Sequence, residues 1–405
     1  MTDRDLDPAS ARAALTGVAA TDSPDEEVVE RHARLVWNTL TEPGDRVATQ
    51  LIAVYGALDA LRALRGRSTV APPPGVTARE LAEGWQRWTP RLRPGALTDS
   101  LAIARRNGIR AILPGDAQWP VQLDDLGPHA PLALWVRGQA RELEGLTPSV
   151  AFVGARAASS YGEHVAADLA AAIAGDGVPV VSGAAYGIDA AAHRAALAVG
   201  GRTVALMAGG VERSYPAGNS GLIDRIAERG AVVSEVPCGG SPTKWRFLQR
   251  NRLISALSDA TVVVEAGWRS GSLNTAGHAA ALGRPIGAVP GPVTSATSAG
   301  CHRMLRELGA VCITSSDDVR ELIGMRPRVS DPDASTRATP RPATDDRTRV
   351  IDALSPRVWR EVDDVARRSG MAPREVEAVL GLLRLEGAAE HSGGLWRRAR
   401  ASAAV

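Results

Sequence analysis

At 405 residues the chain carries a soft prior of roughly two or three domains, and 47 Lys plus Arg against 45 Asp plus Glu leave a formal charge of +2. That balance excludes a chain-wide field for a polyanion, so any basic site has to be local. Three cysteines without metal spacing argue against a disulfide framework, and no apolar run nears the roughly 20 residues of a spanning helix, so a soluble cytoplasmic protein is expected.

Residues 1–27 are polar and are expected to form a disordered tail with one short alanine-rich turn. From 28 to 105 apolar residues recur at helical spacing, broken at Pro43-Gly44 and by "VAPPPG", which predicts a small helical domain. Between 106 and 325 short β-branched runs ("SVAFVG", "VPVVSG", "TVALMAGG", "AVVSEV", "ATVVVEA") alternate with alanine-rich helical stretches. Repeated βαβ units of this kind predict an α/β fold with a doubly wound parallel sheet. The strands lack polar alternation, as expected when helices cover both faces. Residues 326–347, with four prolines and no large apolar residue except Val329, read as a flexible linker. The tail from 348 to 399 reads as three helices and a hairpin turning at Gly393-Gly394, the winged-helix plan.

In open α/β sheets ligands sit where strand carboxyl ends meet helix N-termini, so the loops after the strands carry the functional reading. "GARAASSYGEH" offers Gly154 for a tight turn and Arg156 for a phosphate, but it is not G-x-G-x-x-G, and the second strand ends in Ser182-Gly183 rather than an acid for a ribose. A dinucleotide cofactor is therefore not expected, and no Walker A sequence is present. Ser182, Gly183 and Gly187 form an amide-rich turn. Asp189 and His193, four apart, suit either metal or acid–base chemistry or, more simply, a helix cap and a packed core residue. Ser270, Gly271 and Ser272 resemble another phosphate cradle at a helix start.

The stretch "SPTKWRFLQRNRLIS" holds the only lysine, Lys244, and one of two phenylalanines, Phe247, with Trp245, Arg246, Arg250 and Arg252 beside them. Cations that track a backbone and rings that stack on bases make the composition of a single-stranded nucleic acid site. The alternative is a solvated helix face with the two rings in the core.

With those residues in view, the chain resembles the DNA-processing protein A family, also called DprA or Smf. "FVGARAASSYG", "VSGAAYGIDAAAHRAAL", "SYPAGN", "FLQRNRLISALSDATVVVEA", "RSGSLNTAGHAAALGR", "AVPGPV" and "ELGAVCITSSDDV" follow its motifs in order over residues 150–320. The resemblance implies a Rossmann-like core between an N-terminal SAM- or helix-hairpin-helix-like domain and a winged helix. It implies a non-catalytic protein, without cofactor or metal, that binds single-stranded DNA, loads the recombinase RecA onto it, as in natural transformation, and dimerises through the Rossmann-like domain. Carried over by motif, the DNA pocket comprises Gly154, Arg156, Ser182, Gly183, Lys244, Phe247, Arg250, Asn251 and Arg252, flanked by Ser270, Gly271 and Ser272; Trp245 joins as a second stacking ring. Tyr186, Leu248 and His302 depart from residues frequent in the family. Two other classes remain open: a nucleotide-binding or phosphoribohydrolase-like enzyme of the same superfamily, with Glu265 and Asp189 as its carboxylates, or a ligand-sensing winged-helix regulator.

Overall fold

The computed structural model describes residues 7–66, 68–326 and 346–399, in a larger and a smaller compact unit that divide near residue 327. The linker expected at 326–347 lies outside the described residues except at its ends.

From residue 7 onward the segment expected as a disordered tail over 1–27 holds a helix, while its first six residues lie outside the described residues. Asp7 accepts hydrogen bonds from the backbone amides of Ala9 and Ser10 and starts helix α1, Pro8–Leu15. Its acidic flanks mask an apolar stripe, Ala11, Leu15 and Val18, that is fully buried. Helices α2 (Asp25–Leu40), α3 (Arg46–Tyr55), α4 (Ala57–Leu64), α5 (Ala78–Trp88) and α6 (Ala96–Arg106) follow, with the expected break at Pro43-Gly44. Trp37 and Trp88 meet edge to face at 5.0 Å. These helices do not close a core of their own: their buried side chains are continuous with Ala205, Val232 and Cys238 of the sheet region. Asn38 ties the layers together, accepting from Trp135 Nε1 at 2.9 Å and donating to the Glu235 carbonyl at 2.9 Å.

The sheet begins with β1 (Arg110–Ile112) and β2 (Leu134–Gly138). It continues with β3 (Val150–Val153), β4 (Val180–Ser182), β5 (Thr203–Leu206), β6 (Ala231–Ser234), β7 (Ala260–Val263), β8 (Ile286–Ala288) and β9 (Val311–Cys312). Its order is β1-β2-β6-β5-β4-β3-β7-β8-β9. From β6 to β9 every pair is parallel, whereas β1 and β2 extend the edge antiparallel. The crossovers are α7 (Ser160–Gly175), α8 (Ile188–Ala198), α9 (Ser220–Arg229), α10 (Lys244–Ala256), α11 (Gly271–Ala281) and α12 (Ala299–Glu307), with α13 (Ser316–Leu322) after β9. All residues of β3 to β8 are buried, which matches their unbroken apolar runs. Strand order reverses at β3 and β7, so the crevice at their carboxyl ends is the switch point where this architecture takes ligands.

The smaller unit packs α14 (Asp346–Ala353), α15 (Val362–Ser369) and α16 (Pro373–Leu385) around Val350, Val365, Leu380 and Leu383. A hairpin of β10 (Ala389–Ser392) and β11 (Leu395–Arg398) completes it, turning at Gly393 and Gly394, both at positive φ. This is a winged helix.

Candidate nucleic-acid interface

Helix α10 organises the switch point. Thr243 caps it, its hydroxyl accepting from the Arg246 amide at 3.2 Å. At about 100° per residue, Lys244, Phe247, Leu248 and Asn251 fall on one face, whereas Arg250 and Arg252 lie about 200° apart and cannot share it.

A cleft of about 260 Å³ opens here. Gly154 and Arg156 come from the loop after β3, Phe247, Arg250 and Asn251 from α10, and Ser270 to Ser272 from the start of α11. Asn251 Nδ2 donates to the Gly271 carbonyl at 3.3 Å and to Asn274 Oδ1 at 3.2 Å, holding α10 against α11. The Ser270 hydroxyl caps α11 and lies 2.7 Å from that of Ser272, so two hydroxyls and a helix start face the cleft. Gly154 is required by close packing: a Cβ there would lie 2.5 Å from Ile188 Cγ1.

The cationic element of the cleft is built around Phe247. The guanidinium of exposed Arg156 sits 5.0 Å from the ring centroid and that of Arg250 5.9 Å. Arg250 is buried and donates from Nη1 to the Leu206 carbonyl at 2.8 Å. Its Nε has no partner among the described residues. Burial lowers its pKa to about 10, opposed by Asp189, so it stays charged at neutral pH. A Cβ at Gly183 would fall 1.6 Å from Arg250 Nη1, which makes that glycine the space through which Arg250 reaches the sheet edge. Lys244 is exposed on the Phe247 face, and neither it nor Arg156 has a hydrogen-bond or ion-pair partner among the described residues.

Five residues expected in the pocket are not among those lining the cleft: Lys244 lies one helical turn before Phe247, Gly183 lines a cavity on the Tyr215 side of that ring, and Arg252, Trp245 and Ser182 are elsewhere. Arg252 is buried on the opposite side of α10, where Nη2 meets both carboxylate oxygens of Glu235 at 2.8 Å. Burial raises the Glu235 pKa while Arg252 opposes the shift. Trp245 is 56% exposed and borders a separate cavity of about 700 Å³ against α3 and α5. Ser182 is buried, its hydroxyl donating to the Phe152 carbonyl at 2.5 Å and so joining β4 to β3. Arg246 also turns from the cleft, paired with Glu42.

Sequence reasoning missed Tyr215 and Arg213. The Tyr215 ring packs 5.6 Å from Phe247, and exposed Arg213 borders a second cavity of about 320 Å³ across that ring. The "SYPAGN" stretch was the available signal.

Residues 110–324 match the family model described as DNA recombination-mediator protein A, and residues 334–394 match the DprA winged helix domain. A Mycobacterium tuberculosis protein described as a DNA processing protein DprA is 47% identical over 315 residues, 75% of this chain and 81% of its own. The chain belongs to the DNA recombination-mediator protein A family. Protein Smf of Escherichia coli is 36% identical over 72% of this chain and 78% of its own length. The X-ray structure of DprA from Streptococcus pneumoniae superposes with a TM-score of 0.58 at 29% identity, covering 72% of this chain and 97% of that one.

Within this DprA-family chain, the carboxylates that would suit hydrolysis serve the fold. Glu265 is buried and accepts from the Ser159 amide at 2.9 Å, the Ser159 hydroxyl at 2.5 Å and the Thr297 hydroxyl at 3.1 Å. Asp189 accepts from the amides of Gly183 and Ala185 at 3.2 and 3.4 Å, which fixes the loop through which Arg250 passes; burial raises its pKa. His193 is fully buried with Nδ1 2.7 Å from the Thr203 hydroxyl, and burial lowers its pKa to about 3. Of the departures from the family pattern, Tyr186 accepts from the Gly218 amide at 3.3 Å, Leu248 lines the cleft and His302 Nε2 lies 3.0 Å from the Gly291 carbonyl. No single helix among the described residues is long and apolar enough to cross a membrane.

Proposed function

We propose that this protein binds single-stranded DNA in the cleft at the carboxyl ends of β3 and β7 and, as a cytoplasmic recombination mediator, delivers the strand to RecA. The observation that carries this reading is the pairing of two cations with one ring: Arg156 and Arg250 flank Phe247 at the mouth of the switch-point crevice. Lys244 on the same helix face extends the cationic track, and the Ser270–Ser272 helix start supplies donors for a further phosphate. A stacked base needs only a π-face, so sequence preference should be slight. The DNA-binding set is therefore Gly154, Arg156, Gly183, Lys244, Phe247, Arg250, Asn251 and Ser270 to Ser272, with Tyr215 as a second ring. The family description supports the mediator role, and a homodimer through the Rossmann-like unit belongs to the same reading. Glu265 is held by Ser159 and Thr297 away from the cleft lining, and Asp189, which lines the cleft, is held by the Gly183 and Ala185 amides; both weigh against the hydrolase alternative.

The test is binding of a labelled oligonucleotide, single- against double-stranded, across a salt series. With Arg156, Arg250 and Lys244 each on a phosphate, the slope of log affinity against log salt should be near −2, from about −0.7 per contact. Equal affinity for the duplex, or no salt dependence, would sink the proposal.

A further inference from the structure

Helix α16 carries a face that neither the winged-helix core nor the proposed DNA cleft uses. Arg374, Ala378, Gly381 and Leu385 recur along it at four-, three- and four-residue steps, with Leu382 beside them. Leu382 is 61% exposed and Leu385 86% exposed, neighbouring apolar area that the core of the unit leaves uncovered. Gly381 makes the same point independently. A helix-interior glycine is unfavourable relative to alanine, and a Cβ at this position would meet nothing within 4 Å, so the fold of the unit does not require it. A smooth spot beside exposed leucines suits close approach of another helix.

The charges beside the stripe identify that helix. Glu377 and Arg384 lie on one flank, seven residues apart, and neither has an ion-pair partner among the described residues. In an antiparallel pair of α16 helices crossing next to Gly381, like flanks face each other in reversed order. Glu377 then stands level with the partner's Arg384, and Arg384 with the partner's Glu377. The face is self-complementary, as a two-fold contact demands. It does not suit duplex DNA, because the helix and its cap carry Glu375, Glu377 and Glu386 against Arg374 and Arg384. Glu386 is already held by Arg347 at 2.6 Å.

We propose that the winged helix self-associates, α16 against α16 of a second copy, antiparallel across Gly381 with Leu382 and Leu385 buried and two Glu377–Arg384 pairs at the flank. This contact is separate from the Rossmann-like unit, and a chain with two such isologous surfaces can link dimers along one strand.

The experiment uses the full chain with Cys312→Ser, which leaves only the buried Cys238 and Cys301, and a spin label at Arg367→Cys on exposed α15. Pulsed dipolar spectroscopy should give one defined interspin distance that is lost on dilution with unlabelled chain. Gly381→Leu leaves the fold intact, as circular dichroism checks, and should abolish the distance. Glu377→Arg and Arg384→Glu should each abolish it by placing like charges opposite one another, and an equimolar mixture of the two variants should restore it. The proposal is overturned if no defined distance appears, as when α16 docks within its own chain. It is equally overturned if the distance survives Gly381→Leu or the single charge reversals, if the mixture fails to restore it, or if α16 footprints a duplex and loses that footprint on Leu385→Ala.

Discussion

Replacing Arg252 by alanine tests whether it holds the fold, as the structure has it, or contacts DNA, the role the sequence reading gave to the whole Arg-Asn-Arg run. In the structure Arg252 and Glu235 form a pair with both side chains less than a tenth exposed, and the Gly44 amide at 3.2 Å is the other donor to that carboxylate. Removing the guanidinium strands a buried carboxylate, which costs about 3–5 kcal/mol. With a urea m-value of about 3 kcal/mol/M, the unfolding midpoint should fall by roughly 1 M or more. The loss should depend on pH with a definite sign. The Glu235 pKa is raised in the folded state, so the folded form binds more protons than the unfolded one between the ordinary carboxylate pKa and the raised value, and stability is lost as pH rises through that window. Without Arg252 the shift grows, and the deficit should be smaller at pH 5 than at pH 8. Arg252 Nε and Nη1 have no partner among the described residues, so Arg252→Met with Glu235→Leu should recover most of the loss. Binding by the folded fraction should keep the wild-type salt slope. Unchanged stability together with a slope flatter by about 0.7 would refute the assignment and return Arg252 to the cleft.

Arg156→Ala and Lys244→Ala should each leave thermal unfolding unchanged and flatten the salt slope by about 0.7 in fluorescence anisotropy. Gly183→Ala drives a methyl into Arg250 Nη1, displacing the guanidinium from the Leu206 carbonyl; it should lower stability by about 1.5–3 kcal/mol and weaken DNA binding, both read on the purified variant. His193 is held neutral with its pKa at about 3, so the unfolded state binds the extra proton below pH 6.5 and stability should fall as pH drops. By pH 4 that loss reaches up to about 3 kcal/mol, and denaturation across pH 7 to 4 should be flatter in His193→Gln.

The parallel sheet was legible because five apolar runs alternate with alanine-rich stretches, a pattern that both-face burial imposes. Its antiparallel edge was not: "RAILP" and "LALWVRG" are short apolar runs whose direction of pairing depends on partners far along the chain. The first helix was hidden by acidic neighbours around Ala11, Leu15 and Val18, since composition averages over a stripe that spacing reveals. In the site, the helical period already separates Arg250 from Arg252, and reading α10 residue by residue at about 100° assigns Lys244, Phe247 and Asn251 to one side without any structure. Tyr215 lay beyond that logic, because it reaches Phe247 from a loop 32 positions earlier.

If the cleft binds a strand as proposed, the position of Arg250 beneath Gly183 has a consequence for how quickly that strand is captured. Most surface cations must shed a hydration shell and freeze a floppy side chain at the moment an anion arrives. This guanidinium gave up its water when the chain folded and is already clamped to a carbonyl, so an incoming phosphate meets a standing field rather than a mobile tether. The association rate should therefore be set by diffusion and by how often the strand encounters the crevice, with little reorganisation of the receptor.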